Sequence, residues 1–293
     1  NKGANMIPKS IAGWAGYASA SFSDTFQGAE GIHNWENLNL AQCKRADYFA
    51  WQNTKGETLG DMKNFDVSSM TNFTGMFGNT KGLQVDPSKW EFESAETLFF
   101  AFGTEALNDT TDLWNGVINW DSMGDSMVDI HSIVKNRYSY TGSNLDDFAK
   151  YSGNVVLFRS AFAGTAINYD FSNWDFSGVD ATRSDVQLNE NNASGIMGGF
   201  VRDCRNMSKT NLMKLLEAWD RPFGQGGLPV LGVDPQIGTA AQTIDFGSTY
   251  ESRFFGDTGS VIDRILAAKA SLITKGYNIT GLELEESQQA SGS

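Results

Sequence analysis

A stacked solenoid of the α/β class, with a parallel sheet along one side and an α/β unit closing its C-terminal end, is the fold that three observations predict. A short aromatic-rich phrase returns seven times along the first two thirds of the chain. The returns fall at intervals of 24 to 30 residues. After residue 207 the phrase stops, and ordinary helix and strand signals replace it. A long period of this kind marks stacked units that cannot bury their apolar faces alone.

The clearest copy runs from Phe65 to Phe77 and defines thirteen positions. The copies open at Trp14, Leu38, Phe65, Trp90, Trp120, Lys150 and Trp174, a spacing in the range of leucine-rich-type repeats. Positions six, nine, twelve and thirteen are apolar: Met70, Phe73, Met76 and Phe77, then Ala95, Leu98, Ala101 and Phe102. That spacing predicts one face of a helical or 3₁₀ turn. Ser68 and Ser69 are placed to cap it. The Asn-Trp-Asp stretches at 119–121 and 173–175 read as short strands. Each unit is then a strand, a helical turn and a return loop. The predicted core rings are Trp14, Phe26, Phe49, Phe77, Trp90, Phe102, Trp120, Phe162 and Trp174. The copy at Trp120 blurs after Met127, as a one-residue insertion would make it. The copy at Trp174 decays toward Val186.

The wording of Asn64 to Phe77, echoed at Trp14 to Phe26, Trp90 to Phe102 and Asn173 to Val179, resembles the BspA-like leucine-rich-repeat family. It matches the variant Asn-Trp-Asp-x-Ser-x-Val-Thr-x-Met-x-x-Met-Phe, over roughly residues 14 to 207. Lys275 to Thr280 also looks like a Lys-Gly-Trp-x-Ile-Thr ending common in such proteins. The family is similar to bacterial surface adhesins, and like repeats occur in virion proteins of tailed phages. The resemblance implies a leucine-rich-repeat solenoid without catalytic residues or cofactor. It implies a surface-displayed recognition or structural protein. The first setting is a tailed-phage virion component (fibre, tail or capsid-associated) that presents its repeats to a host glycan or protein, beside other virion subunits. A secreted bacterial adhesin is the alternative, and a glycan-active hydrolase is a third. The implied location is the virion surface or the extracellular space.

Composition bounds these readings. The chain has 293 residues, 40% of them hydrophobic, enough for a sizeable core. Twenty Phe and eight Trp take the place that Leu holds in ordinary leucine-rich repeats. The net charge of −13 argues against nucleic acid, because no basic stripe exists to neutralise phosphates. No apolar run is long enough to span a bilayer. Residues 1–25 do not read as a signal peptide, since Asp24 and the repeat's own Trp14 interrupt any apolar stretch. Cys43 takes a core slot, and Cys204 lies too far along a linear stack to pair with it.

Residues 1–207 form the predicted repeat region, 208–286 a C-terminal α/β unit and 287–293 a polar tail. In the second region Ser208 caps a helix that Pro222 ends. A strand over Thr243 to Phe246, a helix from Ser260 to Lys275 with Ser260 and Asp263 as its capping box, and a strand over Tyr277 to Thr280 suggest one crossover.

Candidate chemistry is sparse. His33 and His131 have no second ligand at metal spacing and read as surface residues. Asp146 with Asp147, Asp109 with Asp112, and Glu91 with Glu93 are carboxylate pairs of the kind glycosidases use. Glu91 and Glu93 flank Phe92, so an extended segment sends both to solvent. Asn108 to Asp112 offers oxygen ligands for a cation but lacks the Gly and distal Glu of an EF-hand. Two segments exceed the loop length the repeat needs: 136–144, with Arg137, Tyr138 and Tyr140, and 187–199. Those three residues are the predicted partner contacts, since Tyr and Arg favour interfaces.

Overall fold

The computed structural model describes residues 20–21, 23–25, 27, 40–52, 62, 65–179, 197–231, 242–254 and 256–284. Trp14, Phe26 and His33, and the 285–293 tail, lie outside them.

The expected α/β leucine-rich-repeat solenoid with a parallel sheet along one side is not what these residues form. Among the described residues strand is confined to two two-stranded parallel sheets. One pairs β1 (Ala20–Ser21) with β2 (Cys43–Arg45); the other pairs β3 (Gln242–Asp245) with β4 (Tyr277–Thr280). Between the repeats, strand-like pairing among the described residues is reduced to single parallel bridges: Arg45 with Asn72, Asn72 with Thr97, Thr97 with Asp129, and Asp129 with Leu157. Among the described residues every α-helix lies after Ser208.

The reason is backbone conformation. The segment read as a helical turn is a run of overlapping β-turns. The N–H groups of Met76, Gly78 and Thr80 donate to the carbonyls of Phe73, Gly75 and Phe77 at 3.0, 2.9 and 3.2 Å. The N–H groups in between reach the next coil instead. Those of Phe73, Gly75, Phe77 and Asn79 donate to Thr97, Phe99, Ala101 and Gly103 at 3.1, 2.7, 2.8 and 3.0 Å. Leu98, Phe100, Phe102 and Thr104 repeat the pattern onto Asp129, His131, Ile133 and Lys135. Half the donors thus close turns and half hold the neighbouring coil, so little backbone is left unpaired. A strand cannot continue through this run, because position eleven is left-handed in each described coil from Tyr48 on. Its φ is 54° at Tyr48, 59° at Gly75, 54° at Phe100, 55° at Ser132, 51° at Ser160 and 70° at Gly199. A type II turn requires that conformation and an extended strand excludes it.

The expected serine caps are replaced by aspartates. Asp66 Oδ1 accepts from the Ser68 N–H at 3.1 Å and from its hydroxyl at 2.7 Å. Asp175 holds Ser177 in the same way, at 2.8 and 2.6 Å. The Asp-x-Ser wording is therefore an Asx-turn, with the carboxylate folding the chain over its own backbone.

Register corrects two repeat boundaries. Thr97 lies seven residues after Trp90, whereas its partner Asp129 lies nine after Trp120, so that copy carries two extra residues rather than one. The N–H of Phe162 donates to Phe200 at 3.0 Å, which puts Phe200 at position twelve. The coil opened by Trp174 is thus completed by Met197, Phe200 and Val201, not near Val186.

Core rings pass from coil to coil. Phe49, Phe77, Trp90, Phe102, Trp120, Phe162 and Trp174 are all buried. Centroid separations are 6.2 Å for Phe49–Phe77, 6.1 Å for Phe77–Phe102 and 6.5 Å for Trp120–Phe162. The chain of contacts continues through Phe162–Trp174 at 6.1 Å and Phe162–Phe200 at 5.3 Å.

The same ladder crosses residue 207. The N–H of Asp203 donates to Phe246 at 3.1 Å, and that of Phe246 to Thr280 at 2.9 Å. Three helices lie against this end: α1 (Lys209–Asp220), α2 (Thr249–Phe254) and α3 (Ser260–Thr274). Ser208 caps α1 by accepting from the Asn211 N–H at 3.1 Å. Ser260 does not cap α3; Gly259 holds that place without a side chain to offer. Helix α3 is the crossover between β3 and β4, which pair parallel from Gln242–Tyr277 to Asp245–Thr280. No helix among the described residues is long and apolar enough to cross a membrane.

Candidate functional site

Coil-to-coil hydrogen bonding sets side chains in rows. Thr74, Phe99, His131 and Arg159 accept from position eleven of the coil before, at 2.7, 2.7, 2.9 and 2.9 Å. Their side chains therefore follow one another across the turn face. Phe99 stacks on His131 with centroids 4.4 Å apart and planes 16° apart.

Three glycines beside this row make room for rings. A Cβ at Gly75 would sit 2.7 Å from the Tyr48 ring. One at Gly78 would sit 2.3 Å from Trp51 and 2.7 Å from Phe100, and one at Gly103 would meet Phe100 at 3.0 Å. Tyr48 lies 5.1 Å from Trp51, Trp51 lies 5.2 Å from Phe100, and Phe100 lies 6.2 Å from Phe99. Tyr48, Trp51, Phe99 and His131 are half-exposed. Phe100 is buried beneath them, outside the main core.

Tyr48 and Phe100 occupy the left-handed position that Gly75 and Gly199 fill in other coils. A bulky side chain there costs about 1–3 kcal/mol. The main core does not repay that cost: Tyr48 is half-buried on the turn face, and Phe100 is buried only among the turn-face rings and glycines.

A charged groove continues the row. Glu105, Leu107, Lys135, Arg159, Arg202 and Asp203 are among its lining residues. The Lys135 ammonium lies 6.0 Å from the Phe100 ring centre and pairs with Glu105 at 3.1 Å. Arg202 pairs with Asp203 at 3.3 Å and Asp245 at 3.0 Å. Burial, and then the positive charges of Arg159 and Lys135, push the His131 imidazole down to about 3. Burial pushes the Asp129 carboxyl up to about 6, against hydrogen bonds from the His131 N–H and the Thr97 hydroxyl. His131 is thus a half-buried neutral ring, stacked on Phe99 at the turn face.

The carboxylate pairs are dispersed. Glu91 and Glu93 are exposed and line an open groove with Asp121, Asp125 and Tyr151, while Phe92 is buried. Lys150 pairs with Asp121 at 2.5 Å. Asp146 accepts from the Tyr169 hydroxyl at 2.7 Å, and Asp147 is exposed. Asp109 turns back onto Thr111 at 3.0 and 2.6 Å, and Asp112 is buried against Arg137. Among the described residues no group of three or more His, Cys, Asp or Glu could hold a metal ion.

The three expected partner contacts do not form a contact loop. Arg137 and Tyr140 are each 1% exposed. Arg137 donates to the carbonyls of Thr80 at 3.0 Å, Gly103 at 3.3 Å and Phe102. Buried carbonyls at the coil edge need donors, and a five-donor guanidinium supplies several at once. Tyr140 stacks on Trp114 at 5.8 Å. Tyr138 is half-buried under the Arg205 guanidinium, 3.4 Å from its ring centre. Cys43 and Cys204 are buried thiols rather than a disulfide, and burial pushes the Cys204 thiol up to about 11.

Sequence reasoning missed the turn-face rings. The available signal was aromatic residues at positions ten, eleven and fourteen, off the inward spacing: Tyr48, Trp51, Phe99 and Phe100. The chain matches no family model, no curated protein and no solved structure.

Proposed function

We propose that this chain is a non-catalytic recognition protein displayed on a surface, and that it binds through the turn face carrying Tyr48, Trp51, Phe99 and His131. One observation supports the reading above the rest. Tyr48 and Phe100 keep bulky rings in left-handed backbone where glycine serves other coils, and they do so outside the main core. Strained residues of this kind cluster where binding repays the strain. Rigid half-exposed aromatics are favoured contacts for a protein or a glycan. Repetition across coils spreads affinity over area rather than one pocket.

The wording of the repeats supports a tailed-phage virion component as the setting, with a bacterial surface adhesin as the alternative. Both settings use the same face. The exposed Glu91 and Glu93 have no surroundings that strip water from them, so a hydrolase has less support.

The binding test is an array of host glycans and surface proteins probed with the wild type and with Trp51→Ala/Phe99→Ala. A loss of at least tenfold in retained signal, with an unchanged circular dichroism spectrum, is expected. Equal retention by the double variant overturns the reading. Mass spectrometry of purified particles tests the setting, and absence from them removes the virion.

A further inference from the structure

We infer that the ligand of the turn face is an anionic polysaccharide, one bearing carboxylate or sulfate groups; this rests on the turn face being the binding surface. Charge is distributed unevenly over an acidic chain. The net charge is −13, and the groove around Tyr151 carries Glu91, Glu93, Asp121 and Asp125. The groove on the turn face instead carries Lys135, Arg159 and Arg202 against Glu105 and Asp203. His131 lies beside both cations: burial first, and then Arg159 and Lys135, disfavour its protonation.

Geometry narrows the ligand further. Phe99, His131 and Arg159 occupy one row on three successive coils, so a stacking ring is followed by a guanidinium. A polymer lying along the row meets both. Phe99 and His131 turn one face each to the other, so the apolar C–H face of a sugar ring is left their outer surface and the half-buried Trp51 ring over Gly78, while the sugar's hydroxyls stay in water. A guanidinium offers a planar fork that fits a carboxylate or sulfate. The row runs across successive coils and continues into a groove, which suits an extended chain rather than an enclosed small molecule. An acidic protein segment would use the cations but would not need flat rings over a glycine floor.

Biolayer interferometry at 0.15 M NaCl tests this with two matched pairs: polygalacturonate against its methyl ester, and dextran sulfate against dextran. The wild type is expected to bind at least one acidic polymer at least tenfold more tightly than its neutral mate. Arg159→Gln/Lys135→Gln should narrow that ratio at least fivefold while melting at the wild-type temperature. Trp51→Ala should weaken binding without changing the ratio. Equal binding of acidic and neutral polymers overturns the anionic ligand and leaves the recognition reading standing. Binding of neither acidic polymer also overturns the anionic ligand, and the array above then decides the recognition reading. Acid-selective binding that Trp51→Ala and Arg159→Gln/Lys135→Gln leave untouched places the ligand elsewhere and overturns both.

Discussion

Arg137 and Asp112 form an ion pair of 3.5 Å in the interior, with side chains 1% and 5% exposed. The pair does more than match charges. Arg137 also fills carbonyls at Thr80 and Gly103, so one side chain joins backbone from separate coils. Arg137→Met leaves a buried carboxylate without its cation and takes one donor from each of the Thr80, Phe102 and Gly103 carbonyls. The expected loss is about 3–5 kcal/mol in urea unfolding, the usual result of breaking a buried pair. Arg137→Met/Asp112→Leu removes both charges and should recover part of that loss. A single variant that loses less than about 1 kcal/mol would show the pair to be idle.

Coil spacing is set by close backbone approach at particular glycines. A Cβ at Gly124 would lie 2.1 Å from the Glu93 carbonyl oxygen on the preceding coil. Backbone cannot swing aside as a side chain does, so Gly124→Ala must part the coils. The expected destabilisation is about 1–3 kcal/mol. Gly224→Ala is the control: nothing lies within 4 Å of a Cβ there, and the change should stay within about 0.5 kcal/mol. Equal melting temperatures for the two variants would contradict this spacing argument.

His131 and Asp129 give acid stability opposite signs. The His131 value in the fold, about 3, lies below the ordinary 6.5, so the unfolded chain takes up that proton first. Its contribution is full above pH 6.5 and drains as the pH falls toward 3. The Asp129 value, about 6, lies above the ordinary 3.8, so the fold takes up that proton first. Its contribution grows as the pH falls from 6 to 3.8. The two slopes offset each other in that window. Asp129→Asn should steepen the loss of stability from pH 6 to 4, and His131→Gln should reduce it. Urea midpoints at pH 7, 5 and 4 read both effects. An Asp129→Asn profile that overlays the wild type removes the account.

Thiol chemistry follows from burial. Cys204 donates to the Phe162 carbonyl at 3.0 Å and holds its proton to about pH 11. Little nucleophilic thiolate exists at neutral pH. Iodoacetamide at pH 8 should leave Cys43 and Cys204 unmodified for hours and alkylate both within minutes in 6 M guanidinium. Rapid labelling of either residue in the native chain would show that its coil opens.

The inward rings were readable because their spacing repeats. Phe77, Trp90 and Phe102 follow the phrase, and the fold buries them where the phrase puts them. The fold class was not readable, because a helical turn and a run of β-turns share apolar positions over so few residues. What separates them is the sign of φ at position eleven. Gly75 hints at it, but Tyr48 and Phe100 hide it in the neighbouring coils. Arg137 and Tyr140 were misread for a related reason. Their insertion looked solvent-facing, and the carbonyls that draw Arg137 inward lie 57 and 34 residues earlier at Thr80 and Gly103. The C-terminal elements were easier, since Ser208, Pro222 and Gly276 mark ends locally.

The alternation of turn-closing and coil-joining amides divides each coil into letters the interior reads and letters the outside reads. Positions nine, twelve and thirteen answer to the rings above and below them, and position ten keeps Thr74, Phe99, His131 and Arg159 partly in solvent, whereas eleven and fourteen answer also to their neighbours, since Phe100 and Ser132 are buried and a Cβ at Gly78 would strike Trp51. Such a chain can rewrite position ten one coil at a time, while a change at eleven or fourteen must be matched on the coil beside it.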